Sequence, residues 1–581
     1  MPSQLGYEKM TAFQPMITGT RYVVSAGHYL ATEAAMEILE AGGNAIDAGV
    51  TANLVLGVVQ SEMVNIAGVA PIMVYIAETN KVLTLTGVGP WPKSASLDRF
   101  VQEFGEVPIG ILRTVVPAAP DANIQALRRW GTMTFGDVAK AAIRYARDGF
   151  PMHVMMHSYI KDHVNTYRMW PDNREIYLPN DEPPIIGKPF VQTDLANSLQ
   201  YMVDQEAAAS GDREDGLNAA RDAFYKGDLA ATIVKYHEEN EGLMTAEDLA
   251  DFSCNIEAPK KVIYKNGGKP IDIYACGVWC QGPVMLQMIK LLEGYDLKSM
   301  GHNSPNYIHT LAEAFKLSFA DREAYYGDPE YVDVPIDKLL SEKYAELRRK
   351  MIDPAHAWPE LPPAGHFPGI TPSPNVHTIG DGSPPAPTDT SYVGIIDKDG
   401  NAFSSNPSDV TFESPVIPGT GFAPSARGSQ SWAVRGHASA LGPGKRPRLT
   451  PNPALAIRPG KMVMPFGTPG GDNQTQANVQ VLFNMELFGM NPQEAIEAPR
   501  FMTHSQPDSF SPHTAYPGKL TAESRIEEVT TDELSNRGHQ VDRIADQTWK
   551  TAGVCVVRKN LETGVIEGGS DPRRPSRAMG W

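Results

Sequence analysis

The amino-acid sequence predicts a layered α/β (α+β) protein, and three observations carry that reading. Apolar residues recur at helical spacing in several stretches up to Phe319, and two pairs of short β-rich runs joined by turn residues follow position 390. A glycine cluster then joins the last of those runs to another helical stretch. With 581 residues, 42% of them hydrophobic and 20% charged, the chain can bury a large core. Its length would allow several domains, but layered α/β enzymes of this size can interlace their segments into one body.

The first helix is expected within TEAAMEILEAGG, Thr32 to Gly43, with Thr32 able to cap, Ala35, Ile38 and Leu39 on one face, and Gly42-Gly43 as the stop. A second should start near Asn44. Its residues Ala45, Ile46, Ala48, Val50, Ala52, Leu54 and Leu56 are apolar on most sides, which marks an internal helix. Gln281-Gly282-Pro283 leads into another, with Pro283 in the first turn and Val284, Met288, Ile289 and Leu292 on a stripe. Ser304-Pro305 opens a fourth, where Ile308, Leu311, Ala312, Phe315 and Phe319 form a core stripe.

Ten prolines lie between Pro354 and Pro387, and their fixed φ and missing N–H forbid ordinary helix or central strand, so this stretch reads as a movable linker. A hairpin follows at once: Ser391 to Asp397, the turn Lys398-Asp399-Gly400-Asn401, and Ala402 to Ser405. A second strand pair is expected at Pro453 to Ile457 and Met462 to Phe466 around Arg458-Pro459-Gly460-Lys461. The latter strand runs into Gly467-Thr468-Pro469-Gly470-Gly471-Asp472, and Val479, Leu482 and Phe483 mark the helix after it.

A formal net charge of -17 disfavours nucleic acid and anionic membrane surfaces as partners; Lys445-Arg446-Pro447-Arg448 is a local exception. Met1 to Tyr22 lacks the apolar run of a secretory signal, and no stretch reaches the roughly 20 apolar residues that span a bilayer, so a cytoplasmic protein is expected. Cys254, Cys276, Cys280 and Cys555 are too few and scattered for a disulfide framework. His153 and His157 are four apart, but no HExxH pattern or acidic third ligand accompanies them, and His356, His366 and His377 fall in the linker; no metal and no cofactor are expected.

A threonine hydroxyl becomes a competent nucleophile at a chain's first residue, where its own α-amine can act as base. An internal threonine reaches that position only if the preceding peptide bond breaks. A linker ending at a strand start suits such a break, yet spacing does not separate Thr390 from Thr388. The segment Asp389-Thr390-Ser391-Tyr392-Val393 with Asp397-Lys398-Asp399-Gly400-Asn401-Ala402 resembles the start of the small subunit in gamma-glutamyltranspeptidases and related acylases. The resemblance extends in order through GGNAIDAGVTANLVLGVVQ at Gly42 to Gln60, the QGP helix start, the KRP segment and GTPGGDNQTQ at Gly467 to Gln476.

That resemblance implies a four-layer αββα sandwich of the N-terminal-nucleophile hydrolase type and self-cleavage between Asp389 and Thr390. Residues 1–389 would form a large subunit and 390–581 a small one, intertwined as a heterodimer, with a dimer of heterodimers left open. Thr390 takes the nucleophile's place and the N–H groups of Gly470 and Gly471 that of the oxyanion donors. Asn406 and Ser408 fall where the family bonds nucleophile and substrate, Thr450 where it has a substrate-contacting hydroxyl pair, and Asp472 either orders the glycine loop or caps the next helix.

The family's carboxylate-gripping Arg is replaced here within Val88-Gly89-Pro90-Trp91-Pro92, and Gln430 stands near the acidic residue that would hold an α-ammonium. These departures favour hydrolysis of a small amide over gamma-glutamyl transfer. Arg427 is the new charge, expected on a substrate carboxylate or acyl oxygen, and Trp91 suggests a flatter, more apolar pocket wall, with packing beside its prolines as the alternative. The alternatives are a true gamma-glutamyltransferase and a non-catalytic scaffold.

Overall fold

The computed structural model describes residues 12–265, 269–385 and 389–581; Thr388 and the last proline of the Pro-rich stretch, Pro387, lie outside them. Fourteen strands build two central sheets: β1 (Ile17–Gly19), β2 (Val23–Ala26), β3 (Ile72–Ile76), β4 (Lys81–Leu85), β5 (Ile256–Glu257), β6 (Lys260–Tyr264), β7 (Ile271–Ala275), β8 (Val393–Ile396), β9 (Ala402–Ser405), β10 (Ala454–Arg458), β11 (Met462–Gly467), β12 (Cys555–Asn560), β13 (Ile566–Ser570) and β14 (Arg577–Gly580). One sheet runs β14-β2-β8-β9-β3-β4-β5 and the other β1-β13-β12-β11-β10-β7-β6, each antiparallel throughout.

The period-2 alternation of each strand assigns its two faces. Val24, Ile72, Val74, Ile395 and Phe403 join one helical layer, whereas their neighbours Val23, Met73, Tyr75, Ile396 and Ala402 fill the space between the sheets. From the other sheet Leu455, Ile457 and Val463 meet them there, while Ala454, Ala456, Met462 and Met464 face a second helical layer. The result is a four-layer αββα body. Both sheets contain strands from both sides of position 390, so a cut there would leave two pieces sharing both.

Helices α1 (Tyr29–Glu40), α2 (Ala45–Val59), α3 (Phe135–Asp148) and α4 (Thr193–Ala208) make the first outer layer; α5 (Gly282–Leu292), α6 (Pro305–Tyr325) and α7 (Asn473–Glu486) make the second. Helix α2 is buried along its whole length and opens with a capping box between Asn44 and Asp47. Helix α1 starts earlier than the sequence suggests: His28 is its cap, and Thr32 lies inside the first turn, its hydroxyl donating to the Arg577 carbonyl of β14 at 2.8 Å. Packing against β14 decides that start, overriding local cap preference.

The hairpin after Thr390 forms as β8 and β9, and the second strand pair as β10 and β11. The Pro-rich stretch corrects the expectation of a movable linker. Its described residues carry no helix, but Phe367 is buried in the core, Gly365 N–H donates to Asp321 at 2.8 Å, and Ser373 N–H donates to Ala324 at 2.9 Å. Thr378–Ile379 pairs in parallel with Thr514–Ala515. All four cysteines are buried and unpaired, and no helix among the described residues is long and apolar enough to cross a membrane.

Helix α2 lies directly on β9 at Gly49, where a Cβ would sit 2.3 Å from the Phe403 ring. Gly49→Ala should therefore cost about 1–3 kcal/mol of stability by overpacking, measured as a lower thermal midpoint.

Candidate active site

The Asp389–Thr390 peptide sits at the entry to central strand β8, and in the unbroken chain its second residue is strained. Thr390 has φ +75°, a left-handed value that its β-branched side chain disfavours. Such a conformation costs about 1–3 kcal/mol and persists only where its surroundings enforce it. The enforcing group is the Met63 carbonyl just beyond α2, which accepts the N–H of Thr390 at 3.2 Å and that of Asp409 at 3.1 Å. Asp409 also has positive φ, +123°.

Thr390 is fully buried, and its Oγ1 lies 2.7 Å from Ser408 Oγ. Ser408 donates in turn to Asp389 Oδ2 at 3.2 Å, so a hydrogen-bond chain runs from the threonine hydroxyl to a carboxylate. Arg427 closes the group, donating to Ser408 and placing Nη1 2.8 Å from Asp389 Oδ2; the two charged side chains are 1% and 2% exposed. The Phe510 ring lies 5.4 Å from the guanidinium, and Asp409 Oδ2 lies 3.7 Å from its Nε. Burial pushes the Asp409 carboxyl up to about 6, against the opposing pull of Arg427.

Gly470 and Gly471 have φ of +123° and +53°, ahead of α7. Their carbonyls are engaged, Gly470 by Asn473 N–H at 2.9 Å and Gly471 by Gln281 Nε2 at 2.8 Å. Their own N–H groups meet no hydrogen-bond partner among the described residues. The first turn of α7 supplies Gln474, whose Nε2 lies 3.5 Å from Thr390 Oγ1. Asn406 does not bond Thr390; its amide donates to the Ser391 carbonyl at 3.1 Å and to Thr468 at 2.9 Å, tying the strand of Thr390 to the glycine loop.

A cavity of about 350 Å³ opens over this group, lined among others by Asp389, Arg427, Gly470, Gly471, Asp508 and Phe510. Pro384 and Pro385 line it too. Asp472 is not the side-chain cap of α7: it ion-pairs with Arg322 of α6 and accepts from Ser509 N–H at 2.8 Å and Oγ at 2.7 Å. The low-dielectric surroundings first, and the Asp472 charge second, hold the Asp508 carboxyl above the usual carboxylate range.

Gln430 and Thr450 turn to each other, Gln430 Nε2 donating to Thr450 Oγ1 at 2.9 Å, and the cavity wall there is Ser429. Trp91 is not a wall of this cavity. It packs on Phe100 under the turn that carries Arg427, where a Cβ on Gly428 would meet it at 2.7 Å, and its indole N–H donates to Ser431 at 2.9 Å. His153 caps the helix Val154–Asp162 and its Nε2 lies 3.0 Å from the Val59 carbonyl, while His157 meets the Pro184 carbonyl at 2.9 Å, so the two do not converge on a common ligand.

Two buried ionisable side chains escape sequence reasoning. Arg574 reaches within 3.5 Å of the Thr390 carbonyl, and Glu62 stands beside Met63 with no other residue among those described donating to either of its oxygens. The one signal for Glu62 was an acid ending the apolar run of α2; Arg574 comes from the far end of the chain.

The four layers are those of the N-terminal-nucleophile hydrolases. The sequence model of Gamma-glutamyltranspeptidase matches residues 31–581. The chain is 31% identical over 568 residues to the glutathione hydrolase-like YwrD proenzyme of Bacillus subtilis (strain 168), covering 97% of this chain and 99% of that one. The solved structure of LmbA2991HD superposes with a TM-score of 0.92 at 33% identity, over 98% and 100% of the two chains. That of the cephalosporin acylase from Bacillus halodurans gives 0.83 at 25% identity, over 100% and 99%. The chain belongs to the gamma-glutamyltranspeptidase family.

Burial pushes the Glu62 carboxyl up to about 8. A carboxyl raised on folding contributes stability that is complete at acid pH and is lost as pH rises through the folded value. Thermal midpoints measured from pH ~5 to ~8 should fall for the native sequence, and Glu62→Gln should flatten that fall.

Proposed function

We propose that this chain is the precursor of an N-terminal-threonine amide hydrolase, which cuts itself between Asp389 and Thr390 and then hydrolyses a small amide through an acyl-enzyme. The observation that carries the reading is a strained Thr390 whose hydroxyl is hydrogen-bonded through Ser408 to a carboxylate. In maturation Oγ1 attacks the Asp389 carbonyl, its proton passing by way of Ser408 to the Asp389 carboxylate. The C–N bond breaks, the nitrogen takes up a proton to become the α-amine, and Asp389 is left as an ester on Thr390. Water then opens the ester, restoring the hydroxyl and freeing residues 1–389.

In turnover the new α-amine replaces the carboxylate as proton acceptor. Thr390 Oγ1 attacks the substrate carbonyl, the α-ammonium protonates the departing amine, and water releases the acyl group. The unengaged N–H groups of Gly470 and Gly471 receive the oxyanion, and Asn406 and Gln474 keep that loop beside the nucleophile. The two pieces stay together as a heterodimer because both contribute strands to both sheets. Buried, unpaired thiols support a cytoplasmic setting.

Val88 in place of a carboxylate-binding Arg, and a Gln430 committed to Thr450, disfavour a gamma-glutamyl donor. A denaturing gel should show pieces of about two-thirds and one-third of the 63.3 kDa chain, with Thr390 first in the smaller. Thr390→Ala should leave one intact, inactive polypeptide, and Asp389→Asn should mature more slowly, by about 10–100-fold, yet expose the same threonine. An intact chain that hydrolyses amides would exclude the mechanism. Robust turnover of a gamma-glutamyl anilide would favour the transferase instead.

A further inference from the structure

The first acyl group that Thr390 handles is Asp389 itself, and the walls around that carbonyl in maturation are the walls around a substrate's carbonyl in turnover. We propose that the Asp389 side chain marks the place of a substrate carboxylate, so that the mature enzyme selects monoamides of a four-carbon dicarboxylic acid, succinyl-type amides, with Arg427 gripping the free carboxylate. This rests on Thr390 being the nucleophile.

The chain length follows from the covalent structure. In Asp389 two carbons, Cα and Cβ, separate the scissile carbonyl from the side-chain carboxylate, as in the monoamide of succinic acid. Arg427 Nη1 stands 2.8 Å from that carboxylate, with both side chains almost completely buried. The contact is an ion pair without hydrogen-bond alignment: Nε and Nη1 of Arg427 and Oδ1 of Asp389 meet no partner at proper angles. A substrate carboxylate carried on the same two carbons would meet the same guanidinium, whose planar fork favours two-pronged contact with a carboxylate.

With Asp389 gone from its side, Arg427 would be a buried cation facing the cavity. Its remaining acid, Asp409, lies at 3.7 Å from Nε and is already engaged by Ser425 Oγ and by the Ala426 N–H at 3.2 Å. The unengaged Nη1 therefore selects for an anionic acyl group and against a neutral one of equal size. The Phe510 ring lies 5.4 Å from the guanidinium and lines the same cavity.

The test compares p-nitroanilides on the matured native enzyme: succinyl, its uncharged equivalent butyryl, and the malonyl and glutaryl homologues. Succinyl should exceed butyryl in kcat/KM by about 100-fold or more, and succinate should compete with substrate where butyrate does not. Arg427→Lys and Arg427→Gln should shrink the succinyl-to-butyryl ratio; because Arg427 also touches Ser408, variants that fail to mature leave the native-enzyme series and the competition assay to decide. Equal turnover of succinyl and butyryl anilides, a maximum at malonyl or glutaryl, or no competition by succinate overturns the inference while the proposed hydrolase stands. If no fragment beginning at Thr390 forms, it is the hydrolase reading that fails.

Discussion

The carbonyl of Met63 accepts two N–H groups, from Thr390 and from Asp409, both held at left-handed φ. Without that shared acceptor neither backbone conformation has a reason to persist, and relaxation of Thr390 would take its hydroxyl away from Ser408. Met63 is itself placed by the turn that follows α2, where Met63 and Val64 N–H both return to the Gln60 carbonyl. The buried helix, rigid because it is enclosed on every side, thus transmits the geometry of the core to one peptide bond. The packing of Gly49 on Phe403 belongs to the same chain of constraint.

Around that bond the molecule concentrates charge in a place where charge is expensive. Arg427, Asp389 and Asp409 are all nearly fully buried, and the pairing among them is close but imperfectly aligned. A buried ion pair of this kind adds little net stability, because desolvation offsets most of its Coulomb energy. Its worth lies in what happens when one partner departs. On the proposed maturation, removing Asp389 would leave a desolvated cation whose best new partner is another carboxylate, and a structural contact would become a binding site.

The sequence made the frame legible and left the centre partly hidden. Helix α2, the β8–β9 hairpin and the β10–β11 pair follow from periodicity and turn chemistry, and the GTPGGD junction marks where strand hands over to helix. Thr390 could be chosen over Thr388 only through likeness to a family, since both precede the same strand. Tertiary partners decided the rest. Asp472 had every local feature of a helix cap, but Arg322 from α6, 150 residues away, claims its carboxylate. Trp91 looked like a pocket wall and instead supports the turn of Arg427. Glu62 and Arg574 come from opposite ends of the chain, 512 positions apart, and no local pattern connects them.

The Pro-rich stretch is pinned by the Thr378–Ile379 pairing and by the Gly380 N–H on the Ala515 carbonyl at 2.9 Å, only nine residues before Asp389. The proposed cut would therefore not release a peptide into solution. It would leave a leashed acidic end, bearing the terminal and the side-chain carboxylate of Asp389, within a few tens of ångströms of the cation it had left. Short tethers of this kind hold their ends at about millimolar local concentration. On that reading the large piece would carry its own weak, reversible competitor, against which a free substrate would have to bind.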